Sequence, residues 1–475
     1  RSMPEKPPHV LILTSDEHAA RVMGCLGDPV VRTPNLDRLA SRGVLFERAY
    51  CNNPVCVPGR YSILTGRLPR EIGSLYYGQG LSPTTWTYPK HFARAGYQTT
   101  CVGKMHFMGL EQMHGWMFRP FGDMENLDHA KAPGFAGDPY AGTAPRRPTL
   151  VDHVRGARAG MDGFIVFDES VTREARNVLL DYFRSIILPI YSPDRPLMLQ
   201  VSWKTPHWPF VAPPEYFNYY LGRVTPPDIP PPPPEKQHPY MAGRNKRDQN
   251  TEEEILRARA AYWGLVQYLD RQVGMVLETL DELGVLDEFL IFYHSDHGEM
   301  AGNFGAWDKG CMHEDAVRVP FIASWPRRIP QGARISENVS MLDLFPTLCD
   351  YCGLEAPDGL RGDSLRPLIE GDSRRFAERT VLAEYYPGGY RGGDAPDCKP
   401  VMMALRGHTK LVTYPSPDHP AQLFDLDADP KELDSCAEDA DCASIRAELQ
   451  REIDALPEPF MWDEQAESDR QTVQT

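Results

Sequence analysis

The stretch His9-Val10-Leu11-Ile12-Leu13-Thr14, followed at once by Ser15-Asp16-Glu17, decides the fold class. An apolar run that stops abruptly at polar residues is typical of a buried parallel strand that reaches the carboxyl edge of its sheet. Open α/β sheets bind their ligands at that edge. The stretch therefore predicts an α/β protein whose functional site lies where this strand ends.

Segments of the same kind recur along the chain and alternate with helical patterns. Three further strands are predicted, at residues 97–102, 197–203 and 289–293. Helices are predicted at residues 33–43 and 251–284, and the second begins with a capping box formed by Thr251 and Glu254. This alternation predicts a mostly parallel central sheet with helices on both faces.

The pattern changes in the last quarter of the chain. Short strands are predicted at residues 401–406, 410–414 and 422–426, followed by a helix at residues 443–456. We expect a main domain at residues 4–371 and, at residues 372–475, a smaller C-terminal α+β subdomain with a short antiparallel sheet. The proline run within residues 226–239 predicts an extended surface loop between elements of the main domain.

The composition argues against several kinds of partner. A formal net charge of -16 disfavours nucleic acids and anionic membranes, because phosphate binding needs a basic surface. No window approaches the roughly 18 apolar residues of a membrane helix, and residues 1–6 have no apolar stretch of signal-peptide type. These features favour a cytoplasmic protein, although a periplasmic protein whose leader has been removed would look the same. Cys349 and Cys352 are predicted to be a buried helical pair.

The most informative segment is Cys56-Val57-Pro58-Gly59-Arg60-Tyr61-Ser62-Ile63-Leu64-Thr65-Gly66-Arg67. Pro58 suits the first turn of a helix, which places Cys56 just ahead of the helix N-terminus, where backbone N–H groups favour an anion. Arg60 would project from the first turn toward the same spot. A buried cysteine before an ordinary helix explains this segment equally well, so the segment alone leaves both interpretations open.

The pattern Cys-x-Pro-x-Arg followed by Thr-Gly-Arg resembles the modification signature of type I sulfatases, in the alkaline-phosphatase-like superfamily. The resemblance implies that a formylglycine-generating enzyme converts Cys56 to formylglycine, whose hydrate attacks the sulfur of a sulfate ester. After one hydroxyl is sulfated, the other can expel sulfate by regenerating the carbonyl. Gly59 stands where the family commonly has Ser or Ala, but the defining Cys, Pro and Arg are intact.

A second pair of polar residues, Asp296 and His297, follows the predicted strand at residues 289–293 as Asp16 and Glu17 follow the first strand. Solvation of a strand end would explain Asp16 and Glu17 alone. The tetrad Ser-Asp-His-Gly, however, resembles the second metal motif of sulfatases. Two strand ends with two ligands each, completed by an oxygen of residue 56, predict one divalent cation. Ligation mainly by carboxylates suits Ca²⁺ best, and Mg²⁺ or Mn²⁺ also fits.

The segment Val102-Gly103-Lys104-Met105-His106-Phe107 resembles the Gly-Lys-x-His element of sulfatases. A lysine and a histidine two residues apart are unremarkable by themselves and would otherwise indicate a surface loop. The resemblance implies that Lys104 binds sulfate oxygens. It also implies that His106 hydrogen-bonds the hydrate and takes its proton when sulfate is expelled.

Two later segments complete the resemblance. In Pro206-His207-Trp208-Pro209, His207 is the natural general acid for the leaving oxygen, and a structural histidine fixed between two prolines is the competing interpretation. In Trp307-Asp308-Lys309-Gly310, the resemblance implies that Lys309 bridges the sulfate and the leaving oxygen. Arg60, Lys104 and Lys309 would then surround one anion, an arrangement that confines positive charge to the pocket of an acidic protein.

The resemblance implies a sulfuric ester hydrolase that acts on a small anionic sulfate ester. The alternative is a phosphonate monoester or phosphodiester hydrolase of the same superfamily, although those enzymes typically lack the counterparts of Lys104 and His106. A second alternative is a non-catalytic protein that binds sulfate esters, with Cys56 remaining a thiol. Residues 103–107 and 112–115 are most similar to choline sulfatases, but the sequence does not assign the alcohol part of the substrate. It leaves room for a homo-oligomer.

Overall fold

The computed structural model describes residues 7–123, 149–184, 190–242, 249–387 and 399–462. Its strands are β1 (His9–Asp16), β2 (Val44–Tyr50), β3 (Gln98–Gly103), β4 (Phe118–Gly122), β5 (Arg158–Ala159), β6 (Leu197–Pro206), β7 (Val211–Ala212), β8 (Phe289–Ser295), β9 (Arg318–Ser324), β10 (Ala333–Ile335), β11 (Val339–Ser340), β12 (Thr380–Tyr385), β13 (Val401–Arg406), β14 (Thr409–Thr413) and β15 (Gln422–Asp425).

Its α-helices are α1 (Pro34–Ser41), α2 (Cys56–Thr65), α3 (Pro69–Ile72), α4 (Tyr88–Arg94), α5 (Leu150–Arg155), α6 (Gly163–Arg184), α7 (Pro214–Tyr220), α8 (Pro239–Ala242), α9 (Glu252–Glu282), α10 (Glu314–Val317), α11 (Leu344–Tyr351), α12 (Arg366–Ile369), α13 (Arg374–Ala377) and α14 (Ala443–Asp454). None of the helices in the described ranges is both long enough and apolar enough to cross a membrane.

Within the described ranges the main sheet has nine strands. Its order is β10-β2-β9-β8-β1-β6-β3-β4, and β11 also pairs with β2. All neighbours are parallel except β9, which runs antiparallel to both β2 and β8. The four strands predicted at residues 9–14, 97–102, 197–203 and 289–293 are present as β1, β3, β6 and β8, respectively. They are neighbours in the sheet, in the order β8-β1-β6-β3. The prediction of a mostly parallel central sheet is therefore confirmed.

Helices cover both faces of this sheet, and β1 shows why its sequence is apolar throughout. Val10 and Ile12 pack into a core that includes side chains of α2, α4 and α11. Leu11 and Leu13 pack into the opposite core, which includes side chains of α1, α6 and α9. Because successive side chains of a strand point to opposite faces, a strand buried on both faces has no polar alternation. The capping box of Thr251 and Glu254 begins α9 as predicted.

The C-terminal part forms a separate antiparallel sheet of order β12-β13-β14-β15, against which α14 packs through Leu449 and Ile453. The predicted α+β subdomain with a short antiparallel sheet is confirmed, with β12 as an additional strand. A division between residues 371 and 372 stays a prediction. The buried helical pair is also confirmed, since Cys349 lies in α11 and Cys352 directly follows it. The proline-rich stretch contains a short 3-10 turn at Pro234–Lys236, where an extended loop was predicted.

Candidate active site

The ends of β1 and β8 bring two pairs of polar side chains together. These strands are parallel neighbours, and Ser15 is paired with Ser295. Asp16 and Glu17 therefore lie beside Asp296 and His297, and all four side chains are fully buried. The backbone N–H of Glu17 donates to Asp296 Oδ1 at 3.1 Å. Glu17 adopts a φ of 68°, a left-handed conformation uncommon for a residue with a Cβ and typical of functional sites.

Cys56 lies in the first turn of α2, and its side chain meets the same group of residues. Its Sγ is 3.2 Å from His297 Nε2 and 3.7 Å from Asp16 Oδ1. The helix begins at Cys56, slightly earlier than predicted, because the N–H of Gly59 already donates to the carbonyl of Val55 at 2.9 Å. Cys56 is 2% exposed, so its thiol meets these ionisable side chains within the interior.

Arg60 connects four strands at this edge of the sheet, β1, β3, β6 and β8. Its Nη2 donates to Asp16 Oδ2 and its Nε donates to Asp296 Oδ2, both at 2.8 Å. Its Nη1 donates at 2.8 Å to Ser202 Oγ and to the carbonyl oxygen of Lys104. These hydrogen bonds use four of the five N–H donors of a planar guanidinium, a group that suits such a buried position.

Lys104 and His106 enter from the end of β3. Lys104 Nζ is 2.6 Å from Asp16 Oδ2. His106 has a φ of 60°, and its backbone N–H donates to Asp123 Oδ2 at 2.7 Å. Its Nε2 lies 3.0 Å from the hydroxyl of Tyr77. Burial, with Lys104 next in importance, holds the pKa of His106 well below its usual range, so the ring is neutral in this state.

His207 and Lys309 both reach Glu17. His207 Nε2 is 3.2 Å and Lys309 Nζ is 2.8 Å from Glu17 Oε2. The loop that carries His207 is held by Asp168, which accepts from the backbone N–H groups of Lys204 at 2.7 Å and Thr205 at 2.9 Å. Burial and then Lys309 keep the pKa of His207 well below its usual value.

The two carboxyl groups at the end of β1 have opposite electrostatic settings. Burial alone would raise the pKa of Asp16, but Lys104 and Arg60 outweigh burial and bring the pKa well below its usual value. Burial raises the pKa of Glu17 well above its usual value, and Lys309 offsets only part of this effect. Asp16 is therefore ionised, whereas Glu17 lacks enough positive charge around it.

The donor set fits a divalent metal. Ligand atoms of Asp16, Cys56, Asp296 and His297 all lie within 4.8 Å of one another. Glu17 belongs instead to two neighbouring groups, one with Asp16 and His207 and the other with Glu299 and Asp308. Buried carboxylates with a neighbouring imidazole are suitable ligands for a hard or borderline cation. A cation would supply the positive charge that Glu17 lacks.

The structure also places residues in the site that sequence reasoning had not assigned. Glu299 Oε1 accepts from the backbone N–H groups of Ala301 at 2.8 Å and Asp308 at 2.7 Å, which fixes the loop before Lys309. Asp308 Oδ1 is 3.0 Å from Lys309 Nζ. Glu299 and Asp308 flank predicted site residues, so their position was a signal. Tyr77 offered no such signal, because it lies outside every motif.

Other histidines near the motifs make structural contacts. His18 Nδ1 lies 2.7 Å from the Tyr293 hydroxyl, and its Nε2 lies 2.8 Å from the carbonyl oxygen of Val22. His294 Nε2 is 3.1 Å from Thr14 Oγ1. Burial lowers the pKa of His18 and of His294 to about 4, so both rings are neutral and hold neighbouring strands in place.

Comparison with known proteins agrees with this geometry. The sequence matches the profile of the family described as Sulfatase over residues 8–354, and the profile described as N-sulphoglucosamine sulphohydrolase, C-terminal, over residues 302–458. It is 31% identical to a choline-sulfatase of Rhizobium meliloti, over 91% of this chain and 82% of the relative. It is 28% identical to an arylsulfatase of Clostridium perfringens, over 90% of this chain and 89% of the relative.

Solved structures share the fold over almost the whole chain. A structure in complex with its substrate D-glucosamine-2-N,6-O-disulfate has a TM-score of 0.74 and 21% identity, covering 94% of this chain and 97% of the other. A phosphonate monoester hydrolase from Silicibacter pomeroyi has a TM-score of 0.75 and 24% identity, with 94% of each chain covered. Because the sulfatase profile covers most of the sequence, the chain belongs to the sulfatase family of sulfuric ester hydrolases.

Proposed function

We propose that this protein hydrolyses a sulfate monoester to an alcohol and sulfate, with residue 56 as the nucleophile after conversion of Cys56 to formylglycine. One observation carries the proposal. Cys56 Sγ lies in a buried group of potential metal ligands that includes Asp16, Asp296 and His297, next to Arg60. A structural cysteine in a core would have apolar neighbours, whereas this one is surrounded by ionisable groups.

Positive charge converges on residue 56. Burial tends to lower the pKa of Arg60, Lys104 and Lys309, yet nearby carboxylates raise each pKa above its usual value and Cys56 adds to the effect. All three cations are therefore charged and close enough to residue 56 to interact with it. We infer that they bind the oxygens of the transferring sulfuryl group, where charge develops in a site closed to water.

Two histidines are suited to handle protons. His207 is neutral in the free protein, and an anionic substrate beside it would raise its pKa, so that it could hold a proton for the leaving oxygen. His106 lies two residues after Lys104 in the sequence, and the hydroxyl of Tyr77 orients its Nε2. A neutral, oriented imidazole can accept a proton from a hydroxyl at residue 56 when sulfate is released.

Two groups from outside the unmodified chain complete the proposal. Asp16, Asp296, His297 and residue 56 would hold one divalent metal, with Ca²⁺ the best fit to the carboxylates, and Glu17 would be available to it after a change of partner. Such a metal acts as a Lewis acid toward an oxygen of the substrate. A formylglycine-generating enzyme would act on Cys56 during maturation, and an aldehyde hydrate supplies a nucleophile that can release sulfate by re-forming its carbonyl.

Mass spectrometry of protein coexpressed with a maturation enzyme tests the nucleophile. The tryptic peptide of residues 49–60 contains both Cys51 and Cys56, so Cys51 is an internal control. We expect Cys51 to be alkylated, and Cys56 to show a loss of roughly 18 Da from the thiol. Cys56→Ala should fold normally and lose turnover. Alkylation of both cysteines in an active enzyme would contradict the proposal.

Rates on different esters test the substrate class. The sequence relation to a choline-sulfatase and an arylsulfatase makes choline sulfate and an aryl sulfate the first compounds to assay. We expect kcat/KM for a sulfate monoester to exceed the values for a matched phosphonate monoester and phosphodiester, because Lys104 and His106 are present. A higher value for the phosphonate would favour the alternative hydrolase. Binding without product in the matured protein would favour a non-catalytic role.

A further inference from the structure

Two cysteines of the C-terminal part lie unusually close together. Cys436 Sγ and Cys442 Sγ are 2.8 Å apart, and both residues are half-buried. Five residues separate them in the sequence. They contact the apolar core beneath the small sheet and α14, which includes Leu449. They are thus a second cysteine centre, distinct from Cys56.

The backbone around both cysteines is fixed by hydrogen bonds. The N–H of Cys436 donates to the carbonyl of Leu423 in β15 at 2.9 Å. The N–H of Asp439 donates to the carbonyl of Cys436 at 3.0 Å, and the N–H of Cys442 donates to the carbonyl of Asp439 at 3.1 Å. Cys442 directly precedes α14. The turn therefore holds the two thiols face to face, independently of any bond between them.

We propose that Cys436 and Cys442 form a disulfide that fastens the segment after β15 to the start of α14. The reaction removes two protons and two electrons from the two thiols and forms one S–S bond. A small-molecule disulfide such as oxidised glutathione accepts the electrons and is released as two thiols, through a mixed disulfide with one of the two cysteines. Both cysteines are partly exposed, which gives the oxidant access to them.

A metal site is the competing use of these residues, because Asp439 also places a carboxylate oxygen within 4.8 Å of the two sulfurs. Zinc binds sulfur at about 2.3 Å in tetrahedral geometry, which separates two bound sulfurs by roughly 3.7 Å. The observed separation of 2.8 Å is much shorter. It therefore favours a direct bond between the two sulfurs, which is about 2.05 Å long in a disulfide.

The disulfide would stabilise a segment that connects the two sheets. Glu432, four residues before Cys436, accepts from Lys410 Nζ at 2.8 Å and from the backbone N–H of Glu314 at 2.8 Å. Glu314 begins α10, shortly after the Lys309 loop. Anchoring Cys436 to α14 would hold one end of the segment from Glu432 to Cys436. The other end, at Glu432, makes these buried contacts.

Mass spectrometry of the intact, full-length protein tests the proposal. Both cysteines lie on the tryptic peptide of residues 432–446. After treatment with oxidised glutathione, denaturation and alkylation, we expect this peptide to be unalkylated and about 2 Da lighter than the dithiol. After reduction it should carry two alkyl groups. Cys349 and Cys352, on the peptide of residues 335–361, are the matched control pair and should remain alkylatable, because both are buried and out of reach of the oxidant.

Serine variants and a zinc-binding assay are further tests of the proposed disulfide. Cys436→Ser and Cys442→Ser should each leave one accessible thiol that takes up a single glutathionyl group. Reduction should lower the melting temperature of the wild type by about 2 °C and leave that of the double serine variant unchanged. Alkylation of both cysteines after oxidation would overturn the proposal. So would one zinc ion per chain that protects both thiols until a chelator removes it. Neither result depends on the proposed sulfatase activity.

Discussion

Gly59→Ala is the most informative single change, because it restores a residue common in the family at a position where this structure has no room for it. A Cβ at Gly59 would lie 2.7 Å from the backbone carbonyl oxygen of Asn53, whereas ordinary contact begins at 3.4 Å. Asn53 is fully buried, and the adjacent Asn52 donates to the carbonyl of Leu382 at 2.7 Å. The neighbouring backbone therefore cannot move away without breaking other contacts.

Two effects of opposite sign determine how much Gly59→Ala changes the free energy of unfolding. Alanine in place of glycine inside a helix stabilises by about 1 kcal/mol. Overpacking against a fixed backbone atom costs about 1–3 kcal/mol, and the position of Asn53 indicates the upper part of that range. We expect the free energy of unfolding to fall by about 1–2 kcal/mol. Residue 56 lies in the same turn, so kcat should also fall, since misplacement by about 1 Å can reduce a rate up to ~100-fold.

The assay compares urea unfolding midpoints, kcat on an aryl sulfate, and formylglycine content by mass spectrometry, which separates poor maturation from poor positioning. Gly163→Ala is the matched control. Gly163 begins α6, and a Cβ there would meet no heavy atom within 4 Å. The free energy of unfolding of the Gly163→Ala variant should stay within about 0.5 kcal/mol of the wild-type value. A Gly59→Ala protein that is as stable and as active as wild type would refute the steric argument.

Three further predictions concern the site and its supports. Lys309→Ala should lower kcat/KM by about 10²–10³-fold with the fold intact by circular dichroism, and an unchanged kcat/KM would remove Lys309 from the proposed anion site. Exhaustive chelation should abolish turnover and lower the melting temperature, because Asp16, Asp296 and His297 lose a shared cation; Ca²⁺ should restore both, and full activity without metal would contradict this. Burial raises the pKa of Asp168 to about 7, so the stability that this group contributes is present below about pH 4 and is lost as the pH rises through 7. Asp168→Asn should remove that dependence, on the order of 4 kcal/mol between about pH 4 and 8, and equal pH slopes in urea unfolding would exclude the effect.

Much of the fold could be predicted because its signals are local. The apolar run of β1 ends at Asp16, and the capping box of Thr251 begins α9. Such signals depend on neighbours a few residues away, so each strand or helix can be inferred without knowing its partners. The antiparallel direction of β9 could not be inferred, since it depends on how the chain returns to the sheet after α10.

The candidate site shows the same division. Strand ends and motifs predicted which residues would meet, and Cys56, Arg60 and Asp296 do lie together. The partners of Glu17 could not be predicted. The Glu17 carboxylate accepts from Lys309, which is 292 positions away in the sequence. A different conformation of the loop that carries Lys309 would give Glu17 another partner.

The sequence by itself determined several strands and helices in their order, the family and the residues predicted to carry the chemistry, because these are recorded in short runs of neighbouring residues. Only the tertiary structure decided that Glu17 contacts Lys309 and His207, that Asn53 leaves no space for a side chain at Gly59, and that Cys436 faces Cys442. The physical reason is that close packing and hydrogen-bond geometry between distant segments act over distances of a few ångströms. No local pattern in the chain records separations of that size.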